Sequence, residues 1–142
     1  MVIGLCDWDR SLEGKSLASI LLERGAEVTL ANAAELVMDI IERGGARAIY
    51  HAMDESDVER IMRHPATAIA SDGGVSVFGQ GVPHPREYGT FARVLGRYVR
   101  ERGHLTLEEA VRKMSGATAQ RLGLRDRGLL REGLVADIVV FD

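Results

Sequence analysis

The chain has 142 residues, 46% of them apolar, and a formal net charge of −3. That balance predicts one globular domain with a real core, and it excludes the strongly basic surface of a nucleic-acid binder. No apolar run approaches the ~18 residues needed to span a bilayer, and the N-terminus carries no signal-peptide pattern. The single cysteine, Cys6, has no internal disulfide partner and reads as a small buried residue in a reducing compartment. The expected location is cytoplasmic, with no nucleic-acid or membrane partner.

Taken in chain order, residues 2–6 read as a short apolar strand, and Leu17, Ile20 and Leu21 form one helical stripe. Ala33, Leu36, Val37, Ile40 and Ile41 repeat at helical spacing. Asn32 with Glu35 three residues on is the predicted cap, and Gly44-Gly45 the predicted stop. Residues 46–52 read as a strand, 54–62 as a helix and 67–71 as the next strand. A glycine-rich loop runs from Gly73 to about Glu87. Phe91, Val94, Leu95, Tyr98 and Val99 then mark a helix face, broken by Gly103. Thr106 to Glu109 is a capping box, opening a helix with the stripe Leu107, Ala110, Val111 and Met114. A short helix over 117–122 stops at Gly123, and residues 136–141 read as a last strand.

Strand alternating with helix is the grammar of a parallel sheet with crossover helices. The fold class expected is therefore α/β, a partial (β/α) barrel, because a complete eight-unit barrel takes ~250 residues. Residues 46–52 and 67–71 are expected to be adjacent parallel strands joined by a right-handed crossover, with Asp72 at their carboxyl edge. Open sheet edges in such a piece predict self-association. Two domain-level stretches are expected: 1–127, the barrel part, and 128–142, a separate β element punctuated by Gly128, Gly133 and Asp137.

Two nucleotide motifs fail on inspection. Gly14-Lys15-Ser16 follows a strand and precedes a helix, but Asp9 stands where a phosphate-binding loop needs its first glycine, with Asp7 and Glu13 nearby. Gly79-Gln80-Gly81 runs into Pro83 and leads to no third glycine. Of the four histidines, His64 and His104 read as surface residues and His51 as a hydrogen-bonded structural residue at a strand end, with a site-facing position level with Asp72 as the alternative.

Chemistry concentrates in Ser71-Asp72-Gly73-Gly74 and the following His84-Pro85-Arg86-Glu87-Tyr88-Gly89-Thr90-Phe91. A carboxylate at the end of an apolar strand is well placed for catalysis, although an Asp-Gly turn alone closes a strand more often than it makes a site. His84 shares the loop with Arg86, whose planar guanidinium suits bidentate recognition of a substrate carboxylate.

From Ser71 onward, SDGG followed by HPREYGTFARVLGRYVRERGHLTLEEAVRKMSGATAQRLGLRDRGLLREGLVADIVVFD resembles the C-terminal part of N-acyl-D-amino-acid deacylases (D-aminoacylases), within the metal-dependent amidohydrolase superfamily. The resemblance is collinear from about Ala46 and weaker from Gly14. Ala92, where relatives usually have proline, and Ser115 to Ala119, in place of a Thr-x-x-Pro-Ala pattern, depart from it on packing helices. The resemblance implies the last strand–helix units of an amidohydrolase TIM barrel, ending in a strand of the small β-sandwich. It implies zinc as cofactor in the intact parent and small N-acyl-D-amino acids as substrates. Asp72 is the implied metal-facing and proton-transferring residue, and His84 and Arg86 are the substrate-binding candidates.

The family's His-x-His pair has no counterpart in this chain, which leaves Asp72 as the one transferable ligand, whereas a catalytic zinc takes typically three. The expectation is a C-terminal fragment of such a hydrolase, inactive alone. Two other readings stand beside it: a non-catalytic stand-alone α/β module derived from an amidohydrolase, and a fragment of a dihydroorotase- or hydantoinase-like hydrolase. The HPREYGTF string weighs against the latter.

Overall fold

The computed structural model describes residues Met1–Asp142. Two compact units are present. One comprises Met1–Ala52 and Gly73–Glu87, the other Met53–Asp72 and Tyr88–Asp142.

In the first unit, β1 (Val2–Leu5) is followed by a 3-10 turn over Arg10–Leu12, then α1 (Leu17–Glu23), α2 (Leu30–Glu42) and β2 (Arg47–Ile49). The strands pair antiparallel, Val2 opposite Ile49 and Ile3 opposite Ala48, with an irregularity between Ile3 and Leu5. Two strands alone are marginal. Here Ile3 and Cys6 are buried with Leu12, Ile20, Leu21, Leu36 and Ile40 in one cluster, so α1 and α2 supply the missing apolar cover. Helix α2 starts earlier than its sequence pattern suggests. Thr29, with extended backbone, accepts the Asn32 N–H at 3.1 Å, while the Asn32 amide donates to the Glu27 carbonyl. The cap is therefore Thr29 and not Asn32, because Leu30 and Ala31 extend the helix by a turn. Gly44 and Gly45, both at positive φ, end it as expected.

The second unit holds α3 (Glu55–Arg63), most of α4 (Arg86–Arg93), a π-helical segment over Val94–Glu101, α5 (Leu107–Met114) and α6 (Gly116–Arg121). Its core is Met62, Val94, Tyr98, Leu105 and Ala110, with Val58, Ile69, Leu95, Val99 and Met114 against it. Asp54 caps α3, and α5 carries the complete capping box between Thr106 and Glu109. His104, expected on the surface, is largely covered. Its Nδ1 lies 2.5 Å from Arg63 Nη2 and its Nε2 3.0 Å from Glu59 Oε1, because the turn after Gly103 carries the ring back onto α3.

The expected parallel strand pair is not formed. β2 pairs antiparallel with β1, and residues 67–71 form no strand. Their exposure alternates along the segment, but the Ile69 N–H donates to the Lys113 carbonyl of α5 at 3.1 Å instead of to a strand. Residues 136–141 likewise form no strand, and Val139 and Val140 are 81% and 92% exposed. Alternation marks an extended segment; only a neighbouring strand makes it a ladder. No helix is long and apolar enough to cross a membrane.

Candidate functional site

In the first unit the loop Gly73–Glu87 returns to β1, where the Val82 N–H donates to the Gly4 carbonyl at 2.6 Å. Gly81, at φ +63°, makes this approach possible: a Cβ there would lie 2.8 Å from the same carbonyl oxygen. Loop and strands enclose a cavity of about 360 Å³, whose lining includes Arg47, Ile49, Ser76, Val82, His84, Arg86 and Glu87.

His84 is half-buried and organises the start of α4. Its Nδ1 accepts the Arg86 N–H at 3.1 Å, and its carbonyl accepts the Glu87 N–H at 3.0 Å. With Nδ1 engaged as an acceptor, the neutral ring carries its proton on Nε2. The Ser76 hydroxyl donates to the Glu87 carboxylate. Two guanidiniums, Arg47 and Arg86, line this cavity together with the Glu87 carboxylate. That arrangement suits an anionic group, which planar guanidinium forks can grip at two oxygens.

Asp72 belongs to the second unit, so the structure brings His84 and Arg86 to one cavity without assigning Asp72 to it. It is exposed, and its φ of +49° makes it the one non-glycine residue in the left-handed region. Aspartate tolerates this conformation better than most residues, and such backbone persists only where its surroundings impose it. Those surroundings begin upstream. Thr67 donates through its N–H to the His64 carbonyl (3.0 Å) and through its hydroxyl to the Ile61 carbonyl (2.9 Å). Arg112 donates to the Pro65 carbonyl at 3.0 Å. Lys113, 1% exposed, reaches the carbonyls of His64 (2.5 Å) and Thr67 (3.1 Å). Burial, then the neighbouring Arg112 charge, lowers its ammonium pKa from the ordinary lysine value.

Sequence reasoning missed Arg47 and Lys113. An arginine opening a short strand and a lysine late in an amphipathic helix both carry the signal of a solvated face. At the start of α1, Lys15 pairs with Glu23 at 2.6 Å, and Glu13 accepts the Cys6 N–H. His51 and His64 are exposed.

The amidohydrolase family matches residues 13–142. Over 129 residues the chain is 47% identical to an N-acyl-D-glutamate deacylase of Alcaligenes xylosoxydans xylosoxydans, covering 91% of this chain and 24% of that protein. Among solved structures, a D-aminoacylase with a binuclear metal center superposes with a TM-score of 0.80 at 42% identity, over 96% of this chain and 26% of that one. An N-acyl-D-glutamate deacylase from Bordetella bronchiseptica, complexed with zinc and a phosphonate inhibitor that mimics the reaction's tetrahedral intermediate, superposes at 0.79 and 40% identity, over 96% and 26%. The chain spans about a quarter of the length of these relatives. The metal those relatives carry does not fit the residues present here. No group of three or more His, Cys, Asp or Glu side chains is gathered as a metal ion would require.

Proposed function

The chain belongs to the amidohydrolase family, and from that premise we propose that it is the C-terminal quarter of a zinc-dependent hydrolase cleaving the amide bond of N-acyl-D-amino acids. One observation carries the reading: 47% identity extends over 91% of this chain but only 24% of a deacylase. On this reading residues 1–127 are the last units of the barrel and 128–142 the return into the small β-sandwich. Neither 67–71 nor 136–141 forms a strand here, and on this reading both find strand neighbours in the remainder of the fold. The three curated relatives are all deacylases or D-aminoacylases, which favours this substrate class over a dihydroorotase- or hydantoinase-like reaction.

Within this chain, Asp72 is the proposed proton carrier. A carboxylate at that position takes a proton from the attacking water and returns it to the leaving amine, since an amine departs readily only once protonated. Arg86 is the proposed grip on the substrate carboxylate, with His84 holding its backbone and capping α4. The zinc site needs ligands beyond those in this chain, so the 142 residues alone are expected to be inactive.

The test uses a full-length deacylase containing this chain, assayed for amine release from N-acetyl-D-amino acids with zinc supplied. Asp72→Asn keeps the shape but cannot accept the proton; turnover is expected to fall 10²–10⁴-fold with binding largely retained. Arg86→Ala is expected mainly to raise KM. Undiminished turnover in the Asp72→Asn enzyme would remove the role given to Asp72, and turnover by the 142-residue chain would remove the fragment reading.

A further inference from the structure

We infer that Lys113 is a positioning residue for Asp72: its buried ammonium and its own carbonyl fasten the segment that ends at the aspartate onto α5. The inference rests on the role proposed above for Asp72.

Lys113 lies in the last turn of α5, where a lysine ordinarily points into solvent, yet it is 1% exposed. Burying an ammonium is costly unless its donors are satisfied. Here they meet carbonyls of one short stretch, His64 at 2.5 Å and Thr67 at 3.1 Å. The same residue's carbonyl accepts the Ile69 N–H at 3.1 Å, so it grips the stretch from both ends. Its neighbour Arg112 adds a bond to the Pro65 carbonyl. Three residues past Ile69 comes Asp72, in a left-handed conformation that its context must impose. A strand in this position would draw its rigidity from a ladder; residues 67–71 draw it from a helix. A misplacement of about 1 Å in a reacting group costs on the order of 10²-fold in rate.

Lys113→Met preserves length and apolar volume but removes the donors; Lys113→Arg keeps a cation that can donate. In the full-length deacylase, Lys113→Met is expected to lower kcat about 10- to 100-fold with KM nearly unchanged, and Lys113→Arg to recover most of it. In an Asp72→Asn background, Lys113→Met should add less than about twofold, because the group it positions is already disabled. In the 142-residue chain, the Lys113→Met change should speed amide exchange at Ile69 while leaving the α5 and α6 amides protected. An unchanged kcat, an equal loss in both backgrounds, or exchange raised uniformly through the second unit would overturn the inference. Should Lys113→Met not fold, Lys113→Gln against Lys113→Arg applies the same criteria. If Asp72→Asn itself leaves turnover intact, the reading of Asp72 fails, while Ile69 exchange still decides whether Lys113 is the anchor.

Discussion

At the scale of single residues, the second unit is held by a charged cluster around one phenol. Tyr98, 3% exposed, donates its hydroxyl to Glu55 at 2.9 Å and accepts from Arg93 Nε at 3.4 Å. Arg93 and Arg97 each lie 3.3 Å from the same carboxylate. The Tyr98 hydrogen bond first, and the arginine charges after it, outweigh desolvation and hold the Glu55 carboxyl below the usual glutamate value of 4.5. A depressed carboxyl pKa stabilises the fold above the unfolded value and loses that contribution as pH falls through the lower, folded one. Tyr98→Phe keeps the ring in the core and removes the bond. It should cost about 1 kcal/mol at pH 7, at the low end for a charged acceptor because Glu55 is partly exposed. The gap to wild type in urea unfolding should narrow as pH is lowered through 4.5 and past the folded value.

At the scale of elements, capping sets where the helices begin. In α5 the Thr106 hydroxyl accepts the Glu109 N–H at 3.2 Å and the Glu109 carboxylate accepts the Thr106 N–H at 3.2 Å. Glu108 and Glu109 lie in the first turn, Arg112 and Lys113 in the last, so charge opposes the helix dipole at both ends. Because α5 carries Lys113, its start also fixes the height of the anchor for residues 64–69. Thr106→Ala is expected to destabilise the chain by about 1 kcal/mol in chemical denaturation, and an unchanged midpoint would show the cap to be redundant. The helix read from Phe91 to Val99 is in fact two geometries, α-helical to Arg93 and π-helical from Val94 to Glu101, closed by Gly103 at φ +60°. Periodicity finds such a stretch but does not resolve its winding.

At the scale of the whole chain, each unit has its own buried cluster, yet large apolar side chains remain in water. Phe78 is 98% exposed and Val140 92%, with Val139 and Ile138 beside the latter. Extended apolar stretches with unpaired backbone groups recruit other strands. The isolated chain is therefore expected to self-associate as its concentration rises, followed by light scattering. A monodisperse monomer at high concentration would favour the independent-module reading over the fragment.

Much of this protein was determined by its sequence alone. Period-3.6 stripes placed α1, α2 and α5, and the segments read as helices over 54–62 and 117–122 match α3 and α6, all close to their observed positions. Asp54 and Thr106 carried their caps locally, and glycines at Gly44, Gly103 and Gly123 stopped helices through the left-handed backbone they permit. The strings around Asp72 and Arg86 pointed to the family without coordinates. Tertiary structure decided what no local pattern encodes. Residues 67–71 alternate as a strand should, but their backbone partner lies on a helix more than forty residues away. Arg47 joins a cavity only because β2 pairs with β1, and Lys113 is buried only because α5 lies against the carbonyls of His64 and Thr67. Helices satisfy their own hydrogen bonds within a few residues and can be read from the chain. Strand pairing and a buried charge depend on which distant groups arrive to satisfy them.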